Sequence, residues 1–336
     1  MITGKKQGPV PTEQYLLPNL HRNLWQLSAR QAAPLHFPIR WRAVPTLFLL
    51  GIGAALLSCG GGSSFPTSSG SSGSSGQAGH VFLIVEENHS YSEVVGNPQM
   101  PYLNSLIGQG GLGTQYFADT HPSIGNYFEL TTGQIITNND SFSGTVSVPD
   151  IVTALDAARQ TWKSYAESLP SVGYTGGDVF PYLRRHNPFT YFTEVRSSSN
   201  NLLNLQTFSQ FSNDLNNGQL AKFSYIVPNA LHDAHNGTLQ QADQWLQANI
   251  APLLGSQTFQ KDGLLVITFD ESASADLAMG GGHVVWVVIG PQAKKGYQST
   301  SVYQHQSTLR LILKSLGATT LPGAANSAPD MTEFLQ

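Results

Sequence analysis

The chain has 336 residues, of which 11% are charged, and its formal net charge is −4. Residues 1–58 hold six of the 17 Lys and Arg residues and one acid, so residues 59–336 carry 11 basic side chains against 20 acidic ones. This acidic balance excludes a nucleic-acid-binding protein, which needs a basic face. One cysteine in the whole chain excludes a disulfide framework, a zinc finger and an iron–sulfur site.

The N-terminal quarter is predicted to be a targeting segment followed by a tether. Residues 44–57 form an apolar run after Arg40 and Arg42, and this run is too short to cross a bilayer comfortably. A basic flank, an apolar stretch and small residues at its end are typical of a signal peptide. The sequence LLSC at 56–59 is similar to a bacterial lipobox, so we expect Cys59 to be lipidated; an ordinary signal peptide with an incidental cysteine is the alternative. The predicted divisions are an N-terminal extension with a lipoprotein signal peptide at 1–58, a Gly/Ser-rich tether at 59–79 and a folded domain at 80–336.

Short, continuous apolar runs predict buried parallel strands in the rest of the chain. Helical composition and periodicity predict helices at 238–254 and 306–316. Strands that alternate with helices predict an α/β fold with a mostly parallel central sheet flanked by helices. Binding sites in such sheets form at the carboxyl ends of the strands. The predicted strands are 80–85 (HVFLIV), 223–227 (FSYIV), 264–269 (LLVITF) and 284–289 (VVWVVI).

Three of these strands are followed by side chains that can bind a metal. The first is followed by EENH at 86–89, the second by Asn229 and HDAH at 232–235, and the third by Asp270 and Glu271. Each group alone is also typical of a helix cap. A shared strand edge would bring four or more acids together, and such a group repels itself unless it is protonated or bound to a cation. The three groups together therefore predict a metal site.

The segment from His121 to Tyr127 is the next candidate. A His-Pro-Ser sequence before an apolar stretch predicts a turn that enters a helix, with Ser123 near the first helical turn. One interpretation is a serine N-cap. The other is a nucleophile at a helix N-terminus, where the helix dipole favours an anion and a metal can ionise the hydroxyl.

Motifs spread over residues 80–336 carry a family resemblance. They include HVFLIVEENHSYSEVVGN at 80–97, ADTHPSIGNYFELTTG at 118–133, HNPFTYF at 186–192 and LLVITFDE at 264–271. Their order resembles that of the bacterial phosphoesterases, a family of acid phosphatases and phospholipases C that is similar in fold to the alkaline phosphatase superfamily. The resemblance implies an alkaline phosphatase-like fold and hydrolysis of phosphate esters.

The resemblance also implies roles for individual residues. Ser123 matches the hydroxyl nucleophile that also binds the metal, and Asn126 matches an Asn that contacts a phosphoryl oxygen in related phosphodiesterases. The histidines that match the family's pocket would bind phosphoryl oxygens and protonate the leaving oxygen. The implied set consists of metal ligands Glu87, Asn88, Ser123, Asp270 and Glu271, catalytic residues Ser123, Asn126, His186, His283 and His305, and substrate-binding residues Asn126, His186, Asp233 and His235.

We expect one divalent ion. Asn229 and Asp233 have the four-residue separation that two-zinc relatives use for a second metal, but Asn is a poor zinc ligand. A second ion is therefore the less favoured alternative.

The sequence as a whole predicts a lipid-anchored phosphoesterase of the cell envelope, periplasmic or extracellular, that resembles a compact acid phosphatase and forms a phosphoseryl intermediate. The expected partners are a phosphate-ester small molecule or a phospholipid head group, and the membrane through Cys59. Two alternatives stay open: a phospholipase C-type phosphodiesterase, and a non-catalytic surface lipoprotein that binds an anion or a metal.

Overall fold

The computed structural model describes residues 78–336. The predicted signal peptide, Cys59 and most of the predicted tether lie outside the described residues. Within 78–336, no helix is both long enough and apolar enough to cross a membrane.

An eight-stranded sheet forms the centre of the described region, in the order β5-β4-β6-β1-β7-β8-β2-β9, and β3 and β10 form a separate pair. β1 pairs in parallel with both β6 and β7. β8 is antiparallel to its two neighbours, β7 and β2. The strands are β1 (His80–Glu86), β2 (Gly111–Gly113), β3 (Tyr116–Phe117), β4 (Trp162–Ala166), β5 (Leu205–Thr207), β6 (Phe223–Val227), β7 (Gly263–Phe269), β8 (Trp286–Ile289), β9 (Tyr297–Ser299) and β10 (Tyr303–Gln304).

The central strands are mostly apolar, as expected where flanking elements cover both faces of the sheet. Every residue of β6 and β7 is buried, and so is every residue of β1 after His80. The predicted strands at 80–85, 223–227 and 264–269 correspond to these three. The fourth predicted strand starts two residues late, at Trp286. The predicted α/β class with a mostly parallel sheet is confirmed.

Helices flank this sheet, and α2 packs on α8 while α3 packs on α10. The long helix α8 begins where Thr238 and Gln241 form a capping box, which satisfies backbone N–H groups at the helix start. The helices are α1 (Tyr91–Val94), α2 (Pro101–Gln109), α3 (Ile124–Thr132), α4 (Ile151–Ala157), α5 (Thr193–Arg196), α6 (Ser199–Leu202), α7 (Phe208–Asn216), α8 (Leu239–Leu254), α9 (Gln257–Asp262) and α10 (His305–Ser315), with 3₁₀ turns at Arg184–His186, Pro188–Thr190, Gly323–Asn326 and Thr332–Phe334.

Apolar packing fixes the 3₁₀ turns between β4 and α5. The buried ring of Phe189 stacks on Trp162 at 5.3 Å and contacts Tyr225 of β6 at 5.2 Å. Truncation of a buried Phe to Ala costs about 3–5 kcal/mol, so this contact is a strong local anchor. The Tyr225 hydroxyl also donates to the backbone oxygen of His186 at 3.1 Å. The position of His186 is therefore tied to the central sheet.

Candidate active site

The adjacency of β6, β1 and β7 brings their carboxyl ends to one edge of the sheet. Backbone bonds continue past the strands: the Glu87 N–H donates to the Asp233 oxygen at 2.7 Å, and the Asp270 N–H donates to the Glu86 oxygen at 2.9 Å. The residues after three separate strands thus lie side by side, as their positions in the sequence predicted.

Ser123 lies just before α3 and is almost completely buried. Its hydroxyl makes no capping hydrogen bond to the helix. Instead, Oγ lies 3.0 Å from Glu87 Oε2 and 3.4 Å from both Asn88 Oδ1 and Glu271 Oε1. The plain N-cap interpretation therefore does not describe this serine, because its hydroxyl faces the acids that follow the strands.

Asn88 joins the two acidic strand ends. Its backbone is left-handed, with φ of 54°, and its N–H donates to Asp270 Oδ1 at 3.2 Å. Asn adopts this conformation more readily than most residues. If the side-chain amide of Asn88 is rotated so that its oxygen and nitrogen exchange places, the nitrogen lies 2.7 Å from Glu87 Oε2 and 3.2 Å from Glu271 Oε1. The amide can therefore present either its nitrogen to the carboxylates or its oxygen to a cation.

The electrostatics of the acids around Ser123 fit a bound cation. Burial, together with the charges of Glu87 and Glu271, raises the pKa of Asp270 well above its usual range. Burial and the charges of Glu87 and Asp140 raise the pKa of Glu271 to about 8. Asp270 Oδ2 is buried without a hydrogen-bond partner among the described residues. Carboxylate, amide and hydroxyl oxygens are the donors that hard divalent cations prefer, so this group suits one.

His186 lies between two acids, Glu87 and Asp233. It contacts Oε1 of Glu87, whereas Ser123 contacts Oε2. Nδ1 lies 2.9 Å from Asp233 Oδ2, and Nε2 makes an ion-pair contact of 2.9 Å with Glu87 Oε1, although it is not aligned for a hydrogen bond. Burial lowers the pKa of His186, but the Glu87 charge and the Asp233 hydrogen bond outweigh it and raise the pKa to about 9. Burial raises the pKa of Glu87, but His186 and the Tyr127 hydroxyl, 2.6 Å from Oε1, lower it to about 2.

A second group of possible ligands shares Glu87. Ligand atoms of Glu87, His186 and His235 all lie within 4.8 Å of one another. Metal binding there would require a neutral His186, because only an unprotonated ring nitrogen binds a metal. The other predicted element of a second site is not supported: the Asn229 amide accepts from the Leu231 N–H and donates to the Ser168 hydroxyl.

Asn126 holds the turn that precedes Ser123. Its buried Oδ1 accepts from the N–H groups of Asp119 at 3.0 Å and Thr120 at 3.1 Å. Its Nδ2 donates one of its two protons to the Thr120 oxygen at 2.8 Å. The predicted contact of Asn126 with a phosphoryl oxygen stays a prediction.

The predicted catalytic roles of His305 and His283 stay predictions, and both rings contact backbone oxygens. His305 is buried between the Tyr116 hydroxyl at 3.0 Å and the Asp270 backbone oxygen at 2.6 Å, and burial lowers its pKa to about 4. The His283 ring stacks on Tyr91 at 4.3 Å, its Nε2 lies 3.0 Å from the Thr114 oxygen, and burial lowers its pKa. Both rings position neighbouring backbone.

Asp233 contacts both His186 and His235, and its predicted contact with the substrate stays a prediction. Its Oδ2 contacts His186 Nδ1 at 2.9 Å and its Oδ1 accepts from the His235 N–H at 2.8 Å. The Asp233 carboxylate thus orients His186 and His235. His186 is buried, whereas His235 is half-buried.

Two further residues lie at this edge: His121, which begins the candidate segment but was assigned no role, and Arg185, which the sequence reasoning missed. His121 Nδ1 lies 2.8 Å from Glu271 Oε2. Arg185 Nη2 lies 3.5 Å from His235 Nε2, and its Nη1 donates to Asp178 at 2.9 Å. The signal that could have found Arg185 was its place directly before His186 in a matched motif.

Comparison with known proteins identifies the family. Residues 97–318 match the sequence profile of the Phosphoesterase family. The chain belongs to this family. It is 29% identical over 297 residues to the phosphatidylinositol-3-phosphatase of Mycobacterium tuberculosis, a match that covers 87% of this chain and 95% of that protein. It is 32% identical over 240 residues to a probable acid phosphatase of Kluyveromyces lactis, which covers 68% of this chain but only 56% of that protein.

Solved structures show the fold of this phosphoesterase. A protein of the alkaline phosphatase superfamily from Vibrio parahaemolyticus aligns with a TM-score of 0.54 at 12% identity, covering 78% of this chain and 72% of that one. The lipoteichoic acid synthase LtaP from Listeria monocytogenes aligns with a TM-score of 0.52 at 11% identity, covering 73% of each chain. The predicted alkaline phosphatase-like fold is confirmed. Among the described residues, the ligand atoms of Glu87, His186 and His235 lie close enough to one another to hold a metal ion.

Proposed function

We propose that the protein hydrolyses phosphate monoesters with Ser123 as the nucleophile and one divalent ion. The observation that carries this proposal is the direction of the Ser123 hydroxyl, which faces the carboxylates of Glu87 and Glu271 at the strand ends and does not cap α3. Membership of the Phosphoesterase family, and relatives named as acid phosphatases, support a phosphate ester as the substrate.

The residues that would hold the ion are Glu87, Asn88, Asp270 and Glu271, with Ser123 at its edge. The unpartnered Asp270 Oδ2 and the mutual repulsion of the three acids support this assignment. A divalent ion bound there would lower the pKa of the Ser123 hydroxyl and offset the negative charge on the phosphoryl oxygens.

The protein's own groups orient the serine and accept its proton. The hydrogen bond to Glu87 Oε2 fixes the Ser123 hydroxyl, and Glu87 and Glu271 both offer a carboxylate oxygen within 3.4 Å of Oγ. Attack forms the Oγ–P bond and breaks the bond from phosphorus to the leaving oxygen, which takes up a proton as the alcohol. Water then cleaves the Oγ–P bond, so that phosphate is released and Ser123 regains its proton. The dipole of α3 favours a negative charge at the N-terminus of this helix. The N–H of Ile124, the first residue of α3, already donates to Asp140 Oδ1.

Substitution of Ser123 tests the nucleophile. Ser123→Ala should lower turnover by about 1,000-fold or more, because it removes the hydroxyl that would form the phosphoseryl intermediate. Ser123→Thr should keep part of the activity, since its hydroxyl can take the same position. Acid quenching of the wild type during turnover should yield a phosphate on the peptide that contains Ser123, detected by mass spectrometry.

The exposed Ser197→Ala is the matched control and should leave turnover unchanged. A fully active Ser123→Ala protein with no trapped phosphopeptide would refute the proposal. Direct attack by water would then be the remaining route to hydrolysis.

A substrate panel separates the proposed monoesterase from its alternatives. The relative that this chain matches over 95% of its length is named a phosphatidylinositol-3-phosphatase, so a phosphoinositide head group belongs in the panel. The panel is p-nitrophenyl phosphate, bis-p-nitrophenyl phosphate and phosphatidylinositol 3-phosphate, each with and without EDTA. Faster hydrolysis of the diester would favour the phospholipase C-type activity, and no hydrolysis with retained metal would favour a binding protein.

We also propose that the protein is anchored in the cell envelope through a lipid on Cys59. The basic pair, apolar run and LLSC sequence support this proposal. Mass spectrometry of the native N-terminus tests it: a mature chain that starts elsewhere, or one whose mass and membrane association are unaffected by Cys59→Ala, would end the proposal.

A further inference from the structure

Arg185 presents one open edge of its guanidinium group. Nη1 donates to Asp178 Oδ2 at 2.9 Å on the more exposed side. Nε is buried without a hydrogen-bond partner among the described residues, and its closest acid oxygen, Asp140 Oδ2, is 3.9 Å away. Nη2 makes only a 3.5 Å contact with His235 Nε2. Nε and one Nη form the fork with which arginine binds two oxygens of a phosphate or carboxylate.

Two series of contacts connect this open edge to the serine. Asp140, on one side of the guanidinium, accepts from the N–H of Ile124, the residue that follows Ser123. His235, on the other side, belongs to the group whose ligand atoms lie within 4.8 Å of one another and include Glu87. Glu87 in turn contacts the Ser123 hydroxyl at 3.0 Å. The first series reaches the residue next to Ser123 in two contacts, and the second reaches the Ser123 hydroxyl in three.

We propose that the Nε–Nη2 edge of Arg185 binds two non-bridging oxygens of the substrate phosphoryl group and makes the site selective for dianionic phosphomonoesters over monoanionic diesters. The proposal rests on the proposed phosphoesterase function and adds a specificity-determining residue to it. A diester has one charge fewer and one non-bridging oxygen fewer, so it gains less from a cationic fork.

The surroundings of Arg185 hold the fork in place before substrate arrives. Asp178 binds the guanidinium with one oxygen and the backbone N–H of Arg184 with the other, at 2.7 Å. Arg184 itself lies 3.8 Å over the ring of Tyr191 and donates to Thr190. A donor held by such contacts loses little conformational entropy when it binds an anion.

The charge distribution explains why a monoester needs this arginine. Glu87, Asp270 and Glu271 are the proposed ligands of the cation, and Asp140 and Asp178 are two further acids that contact the guanidinium or lie next to it. A dianion that approaches the serine would be repelled by any of these acids whose charge is not neutralised. Arg185, between Asp140 and His235, supplies a positive charge in addition to that of the proposed cation.

The test compares Arg185→Gln and Arg185→Lys with the wild type on p-nitrophenyl phosphate and bis-p-nitrophenyl phosphate. Arg185→Gln should lower kcat/KM for the monoester by about 100-fold or more, the loss expected when one donor to the developing charge is removed, and for the diester by less than about 10-fold. Arg185→Lys keeps the charge but not the fork, so it should recover only part of the monoester rate. The exposed Arg159→Gln is the matched control and should change neither rate.

Calorimetric binding of inorganic phosphate to the metal-loaded protein gives a readout that does not need turnover. Arg185→Gln should weaken phosphate binding by at least about 10-fold, and thermal unfolding should show that the variant is folded. An equal loss for monoester and diester, or unchanged phosphate affinity, would overturn the proposal. A wild type that binds phosphate through Arg185 but hydrolyses neither ester would instead refute the proposed function and leave the arginine fork standing.

Discussion

The two carboxylate oxygens of Asp270 have different surroundings. Its Oδ1 accepts the Asn88 N–H, while its Oδ2 is buried without a partner among the described residues. Burial and the neighbouring acids raise its pKa well above the usual range. A buried carboxylate in this setting is unfavourable for the metal-free protein and favourable for binding a cation.

Asp270→Asn should therefore act in opposite directions on metal content and on stability. Metal content, measured by elemental analysis, should fall, and activity should fall by more than about 100-fold, since even partners that only orient metal ligands contribute 10- to 100-fold. The metal-free variant should unfold at a higher temperature than the metal-free wild type, because one repelling charge is gone. The exposed Asp156→Asn should change none of these quantities. Full metal occupancy in Asp270→Asn would show that the ion binds elsewhere.

At the scale of single residues, the sequence predicted which side chains follow the strands better than it predicted where those side chains point. Glu87, Asp270 and Glu271 follow apolar runs, and this position alone places them at the strand edge. Asn126 and His305 lie in equally recognisable motifs, but their hydrogen bonds go to backbone groups whose positions depend on the folded loops. No pattern in the sequence distinguishes a side chain that holds a turn from one that faces a substrate.

The contact between helix α7 and strand β4 depends on one buried acid. Asp214 of α7 accepts from Lys163 Nζ at 2.5 Å, from the Tyr165 hydroxyl at 2.7 Å and from Gln210 at 2.8 Å. Burial raises the pKa of Asp214, but the hydrogen bonds from Lys163 and Tyr165 outweigh it and the pKa lies below its usual range. Ionised Asp214 therefore stabilises the contact between these two elements.

The sign of the pH dependence follows from the lowered pKa. Asp in an unfolded chain titrates near pH 3.9, so this contribution is fully present above about pH 5 and is lost as the pH falls through the folded pKa. Asp214→Asn should lower the free energy of unfolding by about 2 kcal/mol at pH 7, as for the loss of charged hydrogen bonds. The difference from wild type should shrink as the pH falls below about 3.9 and through the lowered pKa of the folded state.

Urea unfolding at several pH values measures this difference. Asp156→Asn, an exposed acid on α4, should change the free energy of unfolding by less than about 0.5 kcal/mol at any pH. A difference for Asp214→Asn that stays constant from pH 7 to pH 2 would contradict the assignment of an ionised Asp214.

At the scale of elements, the sequence predicted the buried strands but not their pairing. β1, β6 and β7 are recognisable because continuous apolar runs are needed where both faces are covered. The antiparallel direction of β8 and the strand order were not predictable, since they depend on how the loops between Phe269 and Trp286 return the chain to the sheet. The short edge strands β5 and β9, of three residues each, carry too little pattern to be recognised.

The position of β1 in the sheet affects how late in folding the molecule becomes active. β1 is the first strand of the described region, yet both of its neighbours come late in the chain, and the contact from the Asn88 N–H to Asp270 spans 182 residues. Pairings between distant segments slow folding, because loop closure must be completed before the contacts form. The serine, by contrast, is only 36 residues from Glu87.

Catalytic competence should therefore be the last property to appear as the chain refolds. After dilution from urea, far-UV circular dichroism should recover in an earlier phase, while hydrolysis of p-nitrophenyl phosphate should recover only with the docking of β7 beside β1. Equal rates for the two signals would show that the sheet forms in one step. With the expected lag, a partly synthesised or partly refolded chain cannot hydrolyse phosphate esters, because its acidic pair at 270–271 joins the serine only at the end.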